Sequence, residues 1–111
     1  MAARARKIVV GFDGSEASRR ALDAAADLVG YGSTLAVVSV QDGPAARSAA
    51  SEARTRLQER HVHAVYHERA GEPAEQLVET AAVVGADLVV VGAPADERIL
   101  GEAPCDVLVV R

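Results

Sequence analysis

Apolar positions along the chain alternate between two periods. Ile8 to Phe12 is a short continuous apolar run, the pattern of a strand buried on both faces. After Ser15 the period becomes helical: Ala17, Ala21, Leu22, Ala24, Ala25 and Leu28 recur on one stripe, with Arg19, Arg20, Asp23 and Asp27 elsewhere. Gly30 and Gly32 supply a stop. Thr34 to Val40 predicts a second strand, closed by Asp42-Gly43-Pro44. Ala45 to Arg60 predicts a helix with a thin face of Ala46, Ala49, Ala53 and Leu57. Its Glu52 and Arg56 have i,i+4 spacing and are expected to pair. Val62 to Arg69 alternates, as in a strand covered on one face or lying at an edge. Gly71-Glu72-Pro73 opens a third helix, with proline in the tolerated first turn. Leu77, Val78, Ala81, Ala82 and Val84 give its core face, and Gly85 ends it. Leu88 to Val91 reads as another fully buried strand. A loop with one short helical turn covers Gly92 to Ala103, and Cys105 to Val110 is the last strand.

Strands alternating with helices predict an α/β fold: an open five-stranded, mainly parallel sheet with helices on both faces. A chain of 111 residues fits a single domain, 1–111, and is long enough to bury a core. With 50% hydrophobic but only 3% aromatic residues, that core must be built from Val, Leu and Ala. A net charge of -4 and the near absence of stacking platforms argue against a nucleic-acid partner. The apolar runs are far too short for a membrane span. The basic start, Met1 to Lys7, precedes an apolar segment that ends at Asp13, too soon for a signal-peptide core; a cytoplasmic protein is expected. The single cysteine, Cys105, excludes an internal disulfide.

Candidate chemistry concentrates at two turns. Asp13 falls at the carboxyl end of the first strand, where open α/β sheets bind ligands. It can accept hydrogen bonds from ribose hydroxyls or an adenine amino group, and it is equally an ordinary turn residue. Ser15 reads as a helix N-cap that can also touch a ligand. Amides there attract anions, but Asp13 and Glu16 oppose a phosphate. Gly92, after the fourth strand, can line a site or simply make a turn. His61, His63 and His67 lack a completing carboxylate or cysteine, so no metal is expected. Cys105 reads as a buried, inert thiol beside Glu102 and Asp106. No nucleophile–base pairing, Walker loop, Gly-x-Ser-x-Gly elbow or Gly-x-Gly-x-x-Gly fingerprint is present, so no catalytic residue is assigned and no enzyme is expected. The last strand, with Val107, Leu108, Val109 and Val110, is an apolar edge without proline or charge. Such an edge invites a second copy related by a two-fold axis.

Five segments in order resemble the universal stress protein family. These are Ile8-Val-Val-Gly-Phe-Asp-Gly-Ser-Glu-Ala-Ser-Arg-Arg-Ala-Leu22, Leu35-Ala-Val-Val-Ser-Val40, Gly71-Glu-Pro73, Ala86-Asp-Leu-Val-Val-Val-Gly92 and Ala103-Pro-Cys-Asp-Val-Leu-Val-Val110. The resemblance implies a five-stranded parallel sheet of the adenine nucleotide alpha hydrolase-like type, a Rossmann-like three-layer sandwich. It also implies a cytoplasmic location and a homodimer. One branch of the family binds ATP through a glycine pattern after the fourth strand: Gly, two residues, Gly, nine residues, then Gly with Ser or Thr. Here Gly92 supplies the first glycine, Ala95 stands at the second, and Cys105-Asp106 at the third pair. Gly101 is out of register, and the segment is shorter than in the ATP-binding branch. Pro94 removes an amide donor. Asp96, Glu97 and Glu102 add negative charge, which Arg98 alone opposes.

The expectation is therefore a dimeric regulatory or protective stress-response module acting through protein contacts. Family-type ATP binding is lost or weakened, and no resident cofactor is expected. The alternative is an adenine-nucleotide switch, taking AMP more readily than ATP. In that case Asp13, Gly14, Ser15 and the main chain near Val40 hold the nucleoside, with Gly92 and Arg98 near its phosphates. A hydrolase or phosphotransferase has the least support.

Overall fold

The computed structural model describes residues 6–30, 32–41 and 44–111, with the side chains of 41 and 44–47 left out. Most of the basic lead (1–5), the Asp42-Gly43 turn and the Ala46 side chain lie outside the described residues.

Nine elements follow one another among the described residues: β1 (Lys7–Gly11), α1 (Glu16–Leu28), β2 (Thr34–Gln41), α2 (Pro44–Glu59), β3 (Val65–Ala70), α3 (Pro73–Val84), β4 (Leu88–Gly92), α4 (Glu97–Glu102) and β5 (Asp106–Val110). The strands form one sheet in the order β3-β2-β1-β4-β5. Every neighbouring pair is parallel, with Val9 opposite both Ala36 and Val89. The chain moves outward from β1 through β2 to β3, then crosses to the other side of β1 for β4 and β5. That reversal puts a topological switch point between β1 and β4.

Alternation along each strand divides the core into two layers. Ile8, Val10, Leu35, Val37 and Val90 pack against Leu22 and Ala25 of α1 and Leu57 of α2. Val9, Val38, Val89 and Val91 pack against Leu77 and Ala81 of α3 and Ile99 of α4.

Several local expectations are corrected. In α1 the buried stripe is Ser18, Ala21, Leu22, Ala25 and Ala26, while Leu28 is 39% exposed. Apart from Leu22, small residues face the sheet here. Ser18 tolerates burial because its hydroxyl donates to the Ser15 carbonyl at 2.9 Å. The helix ends when Val29 turns extended (φ -71°, ψ 110°), before either glycine. Gly32 instead has φ 84° in the turn where the Ser33 amide donates to the Gly30 carbonyl. In α3, Ala82 is exposed and Thr80 takes a buried place. Gly85 ends α3 in the left-handed region, φ 70°, as expected.

The expected Glu52–Arg56 pair is replaced by pairs between helices. Glu52 accepts from both the Nε (2.6 Å) and Nη2 (3.1 Å) of Arg19, and Arg56 reaches Asp23 at 2.8 Å. Arg60 bridges Asp23 and Asp27. α1 and α2 run side by side in the same direction, so partners four residues apart on each helix meet as successive rungs.

The third strand starts at Val65, three residues later than its alternation suggests. The end of α2 consumes those residues. His61 adopts φ 56°, its amide donates to the Gln58 carbonyl, and the Val62 amide reaches back to Leu57 at 2.9 Å. This double closure is the left-handed helix cap usually built on glycine.

Candidate functional site

The carboxyl ends of β1, β2 and β4 open into a cleft of about 600 Å³ at the switch point. Phe12, Val38, Leu77, Val91 and Ile99 give it an apolar wall, and Ser39 and Val40 line its β2 side. Ligand sites of this size are typically mostly apolar with a few placed polar groups. The two turns singled out from sequence meet here: Asp13 and Ser15 line one rim, Gly92 to Asp96 the other. Gly14 and Arg98 are not among the lining residues.

The first rim is a built turn. Asp13 accepts from the Ser15 amide at 2.8 Å through Oδ1, and Gly14 takes φ 86° between them. Ser15 caps α1 by accepting from the Ser18 amide at 3.1 Å. Ser18 also accepts from the Asp13 amide at 3.4 Å. Partial burial pushes the Asp13 carboxyl up, but hydrogen bonds from Ser15, Ser18 and the local backbone outweigh this and hold it below its ordinary value. Asp13 is therefore an exposed anion at neutral pH, fixed in direction by its own turn.

The second rim offers an anion few donors. The Ala93 amide donates to the Val110 carbonyl at 2.8 Å, and Pro94 has none. Asp96 caps α4, its Oδ1 accepting from the Arg98 amide at 2.8 Å, while its carbonyl accepts from Ile99. Among the described residues, the amides of Ala95, Asp96 and Glu97 are the ones this loop leaves uncommitted. Arg98 itself points its Nη1 to Glu72 at 3.0 Å. Among the described residues, Asp13 and Asp96 are thus the only charged ones lining the cleft, and no described cation lines it.

Gly92 has a packing reason to be glycine. A β-carbon there would lie 2.6 Å from the Ala17 backbone. The strand end and the first turn of α1 touch at that point, closing the back of the cleft.

The remaining candidates stand apart. His61 belongs to the α2 cap, exposed His63 lies before β3, and His67 sits opposite Val38 in the sheet. Among the described residues no group of three His, Cys, Asp or Glu could hold a metal. Cys105 is partly buried just before β5, and burial raises its thiol pKa, with Asp106 and Asp87 adding to the effect. β5 is the outermost strand beside β4, with Leu108 38% and Val109 37% exposed. No helix among the described residues is long and apolar enough to cross a membrane.

The sequence reading missed Ser18, Ser39 and Glu72 as parts of this region, and it counted Asp96 as loop charge but not as the cap of α4. Spacing offered two of these roles: Ser18 lies three residues after a capping serine, and Asp96 precedes a short helix. The Glu72–Arg98 contact joins residues 26 apart in the chain and has no local signal.

The model of the universal stress protein family matches residues 4–55 and 43–111, almost the whole chain. A universal stress protein crystallised in complex with cAMP superposes with TM-score 0.82 at 27% identity, covering 96% of each chain. A universal stress family protein from Burkholderia pseudomallei gives TM-score 0.79 at 30% identity, covering 95% of each chain. One from Archaeoglobus fulgidus in complex with dAMP gives 0.80 at 20% identity, covering 97% of this chain and 98% of that one, a likeness of fold. No curated protein sequence matches. With a near end-to-end family match on a five-stranded parallel sheet of the expected kind, the chain belongs to the universal stress protein family.

Proposed function

We propose that this protein is a stress-response module whose cleft accepts an adenine nucleoside carrying at most one phosphate, and which no longer grips a triphosphate. The observation that carries the reading is the charge of the cleft: among the described residues, two lining carboxylates, Asp13 and Asp96, and no lining cation. A nucleoside brings neutral hydroxyl and amino donors to Asp13 and an apolar base to the wall formed by Phe12, Val38 and Leu77. ATP would bring about four negative charges to a cleft lined by Asp13 and Asp96, with only the amides of Ala95, Asp96 and Glu97 to meet them, and each unscreened repulsion there is unfavourable. The relative crystallised with cAMP, a ligand with a single phosphodiester charge, supports this ligand class. Serine hydroxyls at the rim are spent on the α1 cap, which favours binding over turnover.

In this reading the module works as a homodimer joined along β5, in the cytoplasm, and passes ligand occupancy on through protein contacts. Isothermal titration with adenosine, cAMP, AMP and ATP tests it. Affinity is expected to fall as phosphate charge accumulates, and Asp13→Ala should abolish nucleoside binding. Micromolar affinity for ATP, or adenosine binding indifferent to Asp13→Ala, would overturn it.

A further inference from the structure

We infer that the Glu72–Arg98 ion pair is the specificity element of the cleft, withholding from a ligand's phosphate the one cation that the second rim possesses. This inference rests on the nucleoside reading of the cleft and deepens it.

Arg98 is the only Lys or Arg between Gly92 and Ala103. Asp96, two residues before it, and Ile99, the next residue, line the cleft, as do Pro73 and Ala74 immediately after Glu72. The pair therefore ties the first turns of α3 and α4 together at the cleft mouth. Glu72 holds its position through other bonds as well. It caps α3, accepting from the Ala74 amide at 3.3 Å and the Glu75 amide at 2.9 Å. Its Oε2 is shared between that cap and Arg98 Nη1 at 3.0 Å. The carboxylate is thus anchored by its own helix, while the guanidinium is the partner free to leave.

The pair is also breakable. The two side chains are 56% and 44% exposed, and partly solvated pairs of this kind are weakly held. A phosphate presents the fork-matching oxygens that guanidinium prefers. Competition between Glu72 and a ligand phosphate for Arg98 then sets how far the cleft favours bare nucleoside over nucleotide. A purely structural tie between α3 and α4 would show no dependence on ligand phosphate.

The test uses Glu72→Gln, which keeps a carbonyl oxygen for the α3 cap and removes the charge, together with Arg98→Gln and the double variant. Circular dichroism checks that each is folded. Titration with adenosine and AMP is expected to show AMP affinity raised about two- to fivefold by E72Q, adenosine affinity unchanged, and the gain absent from the double variant. An unchanged AMP-to-adenosine ratio in E72Q, or a gain that survives loss of Arg98, overturns the inference. If wild type binds neither compound, the nucleoside reading fails and inorganic pyrophosphate becomes the probe. The Arg98 side-chain NMR signal should then move more in E72Q than in wild type; equal movement overturns the inference on its own.

Discussion

A β-carbon on Gly92 would stand 2.6 Å from both the carbonyl carbon and the carbonyl oxygen of Ala17. The obstacle is helix backbone, which cannot turn aside as a side chain can. Gly92→Ala should therefore push the end of β4 away from α1 and cost about 1–3 kcal/mol, the range for overpacking. Gly11→Ala is the natural comparison. Its β-carbon would meet Leu77 Cδ2 at 3.2 Å, and a leucine can rotate. Urea unfolding should place G92A well below G11A in midpoint; the reverse order would show that the contact is not what fixes this glycine.

α2 is held to the sheet by a narrow face. Among its described side chains Ala49, Ala53 and Leu57 are the buried ones, and Leu57, fully buried, supplies most of their volume. Leu57→Ala should cost about 2–5 kcal/mol, as for other large-to-small core changes. Leu100 on α4 is 54% exposed, so Leu100→Ala should stay within about 0.5 kcal/mol. Chemical denaturation of both variants checks the contrast, and comparable losses would contradict the core assignment.

The fold was legible because its signals are local. The apolar runs Ile8 to Val10 and Leu88 to Val91 and the Pro73 helix start sit where periodicity and turn chemistry place them. The errors have a common cause in tertiary choice. Ser18 is buried in place of Leu28 because the contact with the sheet selects for size, and a satisfied hydroxyl removes the polar penalty. Glu52 left its own helix for Arg19 because a parallel neighbour offered a two-pronged partner. Of the site, Asp13 and Ser15 were readable as a turn and a cap. Arg98 was placed near phosphates by chain position, whereas a residue 26 positions away in sequence holds it.

Acid should weaken the fold from below the ordinary carboxylate range. Three groups have depressed pKa values: Asp13, where the Ser15 and Ser18 bonds overcome burial; Glu52, chiefly through its bond from Arg19; and Glu72, chiefly through the Glu75 amide. A depressed folded-state pKa means that the unfolded chain binds the proton first as pH falls. Their stabilisation is complete above the unfolded values of about 3.8 for Asp and 4.5 for Glu, and drains as pH drops through the lower folded values. Thermal midpoints should be insensitive to these three groups between pH 6 and 8. They should then fall below about pH 4.5, with a shallower acid limb in Glu52→Gln. An unaltered acid limb in that variant would remove Glu52 from the account.

Removing the Ser15 hydroxyl tests the first rim separately from any ligand. Ser15 is exposed, so Ser15→Ala leaves no cavity and deletes only the acceptor for the Ser18 amide. The loss should be about 1 kcal/mol, the usual value for an N-cap. The same change should loosen the turn that aims Asp13, because the Asp13 amide and the Ser15 carbonyl both meet the Ser18 hydroxyl. Nucleoside affinity should then drop together with stability. If stability falls by the expected amount while affinity holds, the α1 cap is structural alone and Asp13 keeps its direction without it.

The β5 edge carries the proposed dimer, and a charge there should break it. Leu108 and Val109 sit mid-strand on opposite faces of the sheet, both more than a third exposed, so either position accepts a long polar side chain without burying it. Lysine on an edge strand disfavours pairing with another chain, since the new neighbour would have to cover the ammonium group. Leu108→Lys and Val109→Lys should each leave the domain folded, because β4 still pairs the inner side of β5 from Leu88–Asp106 to Gly92–Val110. Both should shift the protein from dimer to monomer in light scattering. A lysine at the still more exposed Val83 of α3, away from this edge, should leave the dimer intact. If the wild type is monomeric, or if only the Val83→Lys variant dissociates, the partner does not sit on β5.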